Sequence, residues 1–315
     1  MKIIITGACG HIGSFLTQNL KKIKKVKKTI LIDNMNTNKH NSIFNLSKKP
    51  NFEFYQRDLS KKNSLSEFKN IDIIIHCASM TDAANSFGNK KLMYKNNLGC
   101  MKTVLDYCIK NKTKLIHIST ASVYGKQANI IQESDTHLLK PQSPYADIKL
   151  IEEKLLLKNT KKIKYSSFRL GTIAGVSNGT RFHTAINKLC LNAGLNKDIT
   201  VYQTAYNQFR PYLSLRDSFK IFKFCIENNF FKNQVYNALS GNFSVKQIVN
   251  KIKKYKKNIK IKFIKSPIMN KLTYHVSTLK LDSAGLKLGS NVDKDIKETL
   301  NLFKNIKNNE MQNNK

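Results

Sequence analysis

The opening of the chain restricts its fold more than any other segment. Lys2-Ile3-Ile4-Ile5-Thr6 is an apolar β-branched run that stops at Gly7-Ala8-Cys9-Gly10-His11-Ile12-Gly13 and passes into Ser14-Phe15-Leu16-Thr17-Gln18-Asn19-Leu20. The order reads strand, glycine turn, helix. A pyrophosphate needs bare backbone N–H groups at a helix N-terminus, and glycine lets the backbone come that close. The spacing is Gly-x-x-Gly-x-x-Gly rather than the general Gly-x-Gly-x-x-Gly, and the next strand restores the match. Thr29-Ile30-Leu31-Ile32 ends at Asp33, twenty residues past Gly13, where a carboxylate can accept hydrogen bonds from an adenosine ribose. A carboxylate there repels a 2′-phosphate, so the expected cofactor is NAD rather than NADP. Strands alternating with helices through the first half predict an α/β fold, a Rossmann-type doubly wound parallel sheet.

The second signal is Ser143-Pro144-Tyr145-Ala146-Asp147-Ile148-Lys149. Pro144 suits the first helical position with Ser143 as its cap, and Ile148, Leu150, Ile151 and Leu155 to Leu157 supply an apolar side. Residues i and i+4 share a helix face, so the Tyr145 phenol and the Lys149 ammonium should point the same way. A phenol has an ordinary pKa of about 10, and a nearby ammonium favours the phenolate. The pair can serve as a general base for an alcohol. The same spacing also arises by accident on amphipathic helices; the glycine turn at the other end of the chain gives it meaning.

Together the two sites resemble the extended short-chain dehydrogenase/reductase family, most closely its NAD-dependent nucleotide-sugar epimerase/dehydratase branch (UDP-glucose 4-epimerase-like), over nearly the whole chain. Leu31-Ile32-Asp33-Asn34-Met35 resembles the family's second strand, and Arg57-Asp58-Leu59 its adenine-contacting turn. Asp72-Ile73-Ile74-Ile75-His76-Cys77-Ala78-Ser79 resembles the fourth strand with the loop along the cofactor, and Asn96 stands where the family has Asn-Val-x-Gly. Leu115 to Gly125 is similar to the fifth strand with its Val-Tyr-Gly turn; Thr120 falls 25 residues before Tyr145, the spacing of the family's third catalytic residue. The resemblance implies Thr120, Tyr145 and Lys149 as catalytic residues. It implies cofactor contacts from Gly7, Gly10, His11, Ile12, Gly13, Asp33, Asn34, Asp58, Leu59, Cys77, Ala78, Ser79, Asn96, Ser119, Tyr145 and Lys149.

It also implies a smaller interleaved α/β substrate-binding domain. The NAD-binding domain is then expected over 1–171 and 214–240, the substrate domain over 172–213 and 241–303, and a disordered Asn- and Lys-rich tail over 304–315. Thr81, Thr120, Ser122, Thr172, Asn187, Tyr202 and Arg210 fall at positions that resemble substrate contacts, with Arg181-Phe182 also on that side. Arg210, in Phe209-Arg210-Pro211-Tyr212, corresponds to an arginine offered to the substrate diphosphate, where a guanidinium can bind two oxygens. The pattern departs from the family at Thr172, Ala174 and Val176, where Asn, Tyr and Pro are common, and at Leu272, where Arg is common and Lys271 is the neighbouring cation. A homodimer is implied by the resemblance alone.

The formal charge of +35 raises nucleic-acid binding as a class. Only five of the 55 basic residues are arginines, and no helix-turn-helix, zinc-finger or base-stacking signature accompanies the lysines. A basic surface instead favours anionic ligands such as a diphosphate. No run approaches a membrane span and the chain opens directly on a strand, so a cytoplasmic protein is expected, with no membrane partner. Cys9, Cys77, Cys100, Cys108, Cys190 and Cys225 form no Cys-x-x-Cys pair; packed thiols and no metal are expected.

The expected reaction is oxidation of a hydroxyl on a nucleotide-diphosphate sugar. Tyr145 takes the hydroxyl proton, Lys149 lowers its pKa, Thr120 positions the oxygen, and hydride returned to the other face gives 4-epimerisation. Thr120-Ala121-Ser122 stands where dehydratases of the family resemble Thr-Asp-Glu, which weighs against dehydration. A 3,5-epimerase/reductase wants a Cys or His pair, and Ser122 stands where the cysteine is wanted although His183 is suggestively placed. An NAD(P)-dependent reductase or dehydrogenase of a keto-sugar or other alcohol uses the same three residues, and a non-catalytic dinucleotide-binding regulator would keep only the fold.

Overall fold

Ile3, Ile4 and Ile5 are wholly buried, Ile3 and Ile5 in one apolar core and Ile4 in another, as a strand covered on both faces requires. The computed structural model describes residues 1–82, 86–125, 130–265, 273–290 and 292–306. The chain runs β1 (Lys2–Thr6), α1 (His11–Asn19), β2 (Lys28–Asp33), β3 (Asn51–Gln56), β4 (Ile73–His76), α2 (Lys90–Asn111), β5 (Lys114–Thr120), β6 (Ile130–Ile131), α3 (Pro144–Lys158) and β7 (Tyr165–Leu170). It continues through β8 (Thr172–Ala174), α4 (Ala185–Gly194), β9 (Ile199–Tyr202), β10 (Phe209–Ser214), α5 (Leu215–Glu227) and β11 (Gln234–Ala238). The last elements are β12 (Gly241–Ser244), α6 (Val245–Tyr255), β13 (Ile261–Ile264), β14 (His275–Val276), α7 (Leu279–Ser283) and α8 (Val292–Asn301).

Seven parallel strands form the central sheet in the order β11-β7-β5-β4-β1-β2-β3. The order reverses between β1 and β4, and a crevice opens beyond the carboxyl ends of strands at such a switch point. Leu16 of α1 and Phe222 of α5 cover one face; Met101 of α2 and Leu156 of α3 cover the other. This is the Rossmann-type fold expected from the alternating pattern.

A smaller lobe joins the three-stranded sheet β12-β10-β8 and the pair β13-β9 to α4, α6 and α8, whose Ile186, Leu189, Ile248, Ile252 and Ile296 share a core. The chain leaves the large sheet at Gly171 and returns with α5 and β11, so the two halves interleave. One segment differs from the expected division. Leu281 of α7 and the following Leu286 belong to the large sheet's core, and Lys280 donates to the Val235 carbonyl at 2.8 Å. Apolar spacing too short to distinguish the two cores explains the difference. No helix among the described residues is long and apolar enough to cross a membrane. Lys271, Leu272 and 307–315 of the expected tail lie outside the described residues.

Candidate active site

The glycine turn is a backbone device. Gly7 has φ +65°, in the left-handed region, and its carbonyl accepts from the Gly10 N–H at 3.0 Å. A Cβ on Gly13 would lie 2.2 Å from that same carbonyl oxygen, so α1 can press against β1 only without a side chain there. On β2, Asp33 accepts from the Cys9 N–H at 3.0 Å through Oδ2 and from the Met35 N–H at 2.9 Å through Oδ1. A carboxylate has about four lone-pair sites, so hydroxyl donors can still be accepted.

Two joined cavities follow. One, of about 290 Å³, is lined by Gly7, Gly10, His11, Ile12, Gly13, Cys77, Ser79, Thr81, Ser119, Thr120, Ser122, Tyr145, Lys149 and Thr172. The other, of about 440 Å³, is lined by Asp33, Asn34, Leu59, Cys77, Ala78, Ser79, Thr81 and Asn96. They share Gly7 and Gly10, so the crevice is one elongated slot with the turn at its middle. An extended dinucleotide, with anionic phosphates between two ring systems, fits that shape and that donor set.

Ser143 caps α3 by accepting from the Ala146 N–H at 3.2 Å, with Pro144 at the first turn, as the sequence predicts. Tyr145 and Lys149 both face the first cavity. The ammonium does pull the phenol's pKa down, but burial is the larger influence and Glu152 opposes it, so Tyr145 stands above its ordinary value. The lowering expected from Lys149 is present, and burial outweighs it: a phenolate loses more on leaving water than one ammonium restores. Lys149, 2% exposed, pairs with Glu152 Oε2 at 2.8 Å. The predicted apolar side of α3 also carries buried Glu152 and Glu153, whereas Leu157 is 66% exposed.

Four expected site residues stand elsewhere. Asp58 turns back on its own loop, accepting from the Ser60 N–H at 2.9 Å and hydroxyl at 2.7 Å, while Arg57 and Leu59 line the slot. Asn187 is buried and braces the chain ahead of α4, accepting from the Gly175 N–H and donating to the Gly175 and Arg181 carbonyls. Tyr202 is an exposed residue at the end of β9. Arg210 lies outside the slot with its guanidinium 5.6 Å from the Tyr274 ring; Tyr274 in turn bonds Ser122 at the cavity wall. Ser119 lines the cavity but gives its hydroxyl to Glu153.

Arg181, which the resemblance put on the substrate side, lines both cavities. It arrives on a strap, 175–181, that the smaller lobe lays over the glycine turn. His11 Nε2 donates to the Gly175 carbonyl at 2.8 Å, burial holding that imidazole down to about 3 and hence neutral, and Gly179 N–H donates to Ser14 Oγ at 2.9 Å. A Cβ on Gly179 would lie 2.3 Å from the Cys9 carbonyl oxygen. The Arg181 guanidinium donates to the Thr81 hydroxyl and lies 3.8 Å from where a Cβ of Gly10 would be. A sparse run of glycines and small polar residues gave no sign of this crossing.

Comparison with known proteins agrees with this geometry. The model of the "NAD dependent epimerase/dehydratase family" matches residues 3–238. The chain is 30% identical over 258 residues to dTDP-D-glucose 4,6-dehydratase of Dictyostelium discoideum, covering 75% of this chain and 57% of that protein. It is 32% identical over 161 residues to the "uncharacterized UDP-glucose epimerase YtcB" of Bacillus subtilis, covering 49% of this chain and 50% of that one. The chain thus spans little more than half the length of these two relatives. The structure of UDP-glucuronic acid 4-epimerase from Bacillus cereus, in complex with UDP-glucuronic acid and NAD, superposes with a TM-score of 0.85 at 26% identity over 96% of this chain and 99% of that one. With three quarters of its length matched and the glycine turn, Asp33 and the Tyr145–Lys149 pair gathered on one slot, the chain belongs to the NAD dependent epimerase/dehydratase family, an enzyme family whose cofactor is NAD.

Proposed function

We propose that the protein epimerises a nucleotide-diphosphate sugar by transient oxidation of a sugar hydroxyl, the 4-epimerase type. One observation carries the reading: Tyr145, Lys149 and Thr120 line the same cavity as the glycine turn, so a proton acceptor faces the place where the redox end of a dinucleotide would lie. Gly7, Gly10 and Gly13 would hold the pyrophosphate, with Asp33 at the adenosine ribose and Leu59, Ala78 and Asn96 along the second cavity. When bound, NAD supplies the hydride acceptor and donor. Tyr145 as phenolate takes the hydroxyl proton and gives it back after the keto-sugar has turned. Thr120, whose Oγ1 accepts from the Ser122 N–H at 3.2 Å, keeps its hydroxyl hydrogen for the reacting oxygen. Ser122 and Thr172 would flank the sugar.

The Bacillus cereus neighbour, a 4-epimerase holding UDP-glucuronic acid and NAD, supports this reading. The dehydratase relative favours a different one, but Thr120 is followed by Ala121 and Ser122, neither of which carries a carboxyl group, and elimination of water needs an acid and a base. The test is product analysis with UDP-glucose and UDP-glucuronic acid at catalytic NAD. Interconversion of 4-epimers without net NADH is expected. Product formed only one-for-one with NAD or NADH would overturn the epimerase in favour of a dehydrogenase or reductase.

A further inference from the structure

Beneath the catalytic pair lies a cluster of ionisable groups that the reaction above does not use. Glu152, on α3 three residues beyond Lys149, is 1% exposed. Its Oε2 accepts from Lys149 Nζ at 2.8 Å and lies 2.9 Å from His117 Nε2 of β5. His117 Nδ1 is 2.8 Å from the Ser167 hydroxyl of β7, which can donate to it; the ring hydrogen then sits on Nε2 and is donated to the carboxylate. Ser167 and His117 are wholly buried, so this chain of contacts ends inside the molecule.

The adjacent Glu153 shows what a structural carboxylate looks like in the same core. It takes Arg169 Nε at 3.0 Å and Nη2 at 2.7 Å, so its charge is matched by a guanidinium. Among the described residues Glu152 has no arginine partner and its Oε1 has no hydrogen-bond partner. The ammonium it holds is that of the lysine that faces the cavity. A lysine this deeply buried would by itself give up its proton; with Glu152 beside it, Lys149 is held above its ordinary value, and the carboxyl is held down at about 2. The other titratable groups facing the cluster are Tyr145 on α3, His76 and Cys77 at the end of β4, Cys100 on α2, whose thiol burial pushes up, and Arg181 of the strap. His76 is kept neutral by burial and by Lys149, its Nδ1 paired with Thr6 Oγ1 at 2.8 Å. None of these supplies the missing negative charge.

We propose that Glu152, oriented by His117 and Ser167, is a positioning residue that keeps Lys149 cationic and aimed at Tyr145, and so sets the pH at which the base of this enzyme is made. The inference rests on the reading of Tyr145 as the base, yet it can be tested without turnover. With NAD bound, tyrosines isotope-labelled at the phenolic carbon are titrated by NMR, the Tyr145 signal being assigned by its loss in Tyr145→Phe. In Glu152→Gln the Tyr145 titration is expected to move up by about one pH unit or more, because an uncompensated Lys149 sheds its proton before the phenol does. Glu152→Asp should recover most of the shift, and His117→Gln should give a smaller one of the same sign. An unchanged or lowered Tyr145 titration in Glu152→Gln, with NAD still bound, would overturn the proposal: Glu152 would then be a plain core ion pair or an opponent of the phenolate. Loss of NAD binding in the Gln variant makes His117→Gln decisive, and an unshifted titration there overturns it equally. Absence of sugar-nucleotide turnover in the unaltered protein would count against the epimerase reading alone.

Discussion

The two ends of the slot are made of different material. Where the proposed adenosine and phosphates would lie the protein presents backbone: a positive-φ glycine, a helix start against which no Cβ fits, and an aspartate that fastens the turn through two N–H groups. On the side proposed for the sugar it presents side chains carried by separate pieces of chain: Ser122 after β5, Thr172 on β8, Arg181 of the strap and His183 beyond it. A backbone site admits few sequences because its shape is its chemistry; a side-chain site can be rebuilt from other residues on other loops. The contrast makes the first end intolerant and the second adaptable.

The largest test of that contrast is Gly13→Ala. A Cβ 2.2 Å from the Gly7 carbonyl oxygen meets backbone that cannot step aside without opening the turn. Loss of detectable NAD binding by calorimetry is expected, together with a lowered melting temperature. An alanine variant that binds NAD normally would show that the turn is less rigid than its geometry implies. Next in size is Tyr145→Phe, expected to lower kcat by about 10²- to 10⁴-fold, the range of a lost general base, with NAD affinity unchanged. Equal loss of both would move Tyr145 from chemistry to cofactor binding.

The same division decides what could be read before any coordinates. The strand, the glycine turn and Asp33 are contiguous or fixed in spacing, and the Tyr145–Lys149 pair needs only helical periodicity; the turn's glycines, Asp33 and the pair line the slot. Asn187, Tyr202 and Arg210 had to be placed by the path of a second lobe, which local pattern does not specify, and they line neither cavity. Helical periodicity gives Glu152 and Glu153 no role, yet both carboxylates are buried, because their partners His117 and Arg169 come from strands that pair only in the folded sheet. Single-sequence periodicity has no means of seeing a charge neutralised across such a distance.

Arg181 and Arg210 sharpen the comparison at intermediate size. Arg181 stands where the two cavities join, beside Gly10, with a hydroxyl as its hydrogen-bond partner, so an anion at the turn would gain a charge-assisted contact from it. Arg181→Ala is expected to weaken NAD binding by about tenfold or more, the worth of a hydrogen bond to a charged group. Arg210→Ala is expected to leave NAD affinity unchanged, because Tyr274 separates it from the wall. The reverse ranking in titration calorimetry would mean that the smaller lobe moves a different arginine into the slot.

The smallest effect separates two buried carboxylates, one under the slot and one in the smaller lobe. Glu152 is depressed to about 2, whereas Asp295 of α8, 1% exposed at its side chain, is raised to about 6 by burial, with Glu298 and Asp217 adding like charge against the pull of Arg216. The signs of their contributions to stability are therefore opposite. Glu152 stabilises the fold above its unfolded value of 4.5, and that contribution is lost as pH falls through about 2. The native state holds a proton on Asp295 that the unfolded chain has released between 3.8 and about 6; its contribution is full below 3.8 and declines as pH rises through 6. Asp295→Asn removes that decline. Whatever the substitution costs through the lost contact with Arg216, the melting temperature of the variant relative to the unaltered protein should be more favourable at pH 8 than at pH 4 by about 2 °C or more. A difference that is flat with pH, or of opposite slope, would mean that the Arg216 pair outweighs burial and that both carboxylates are anchored anions.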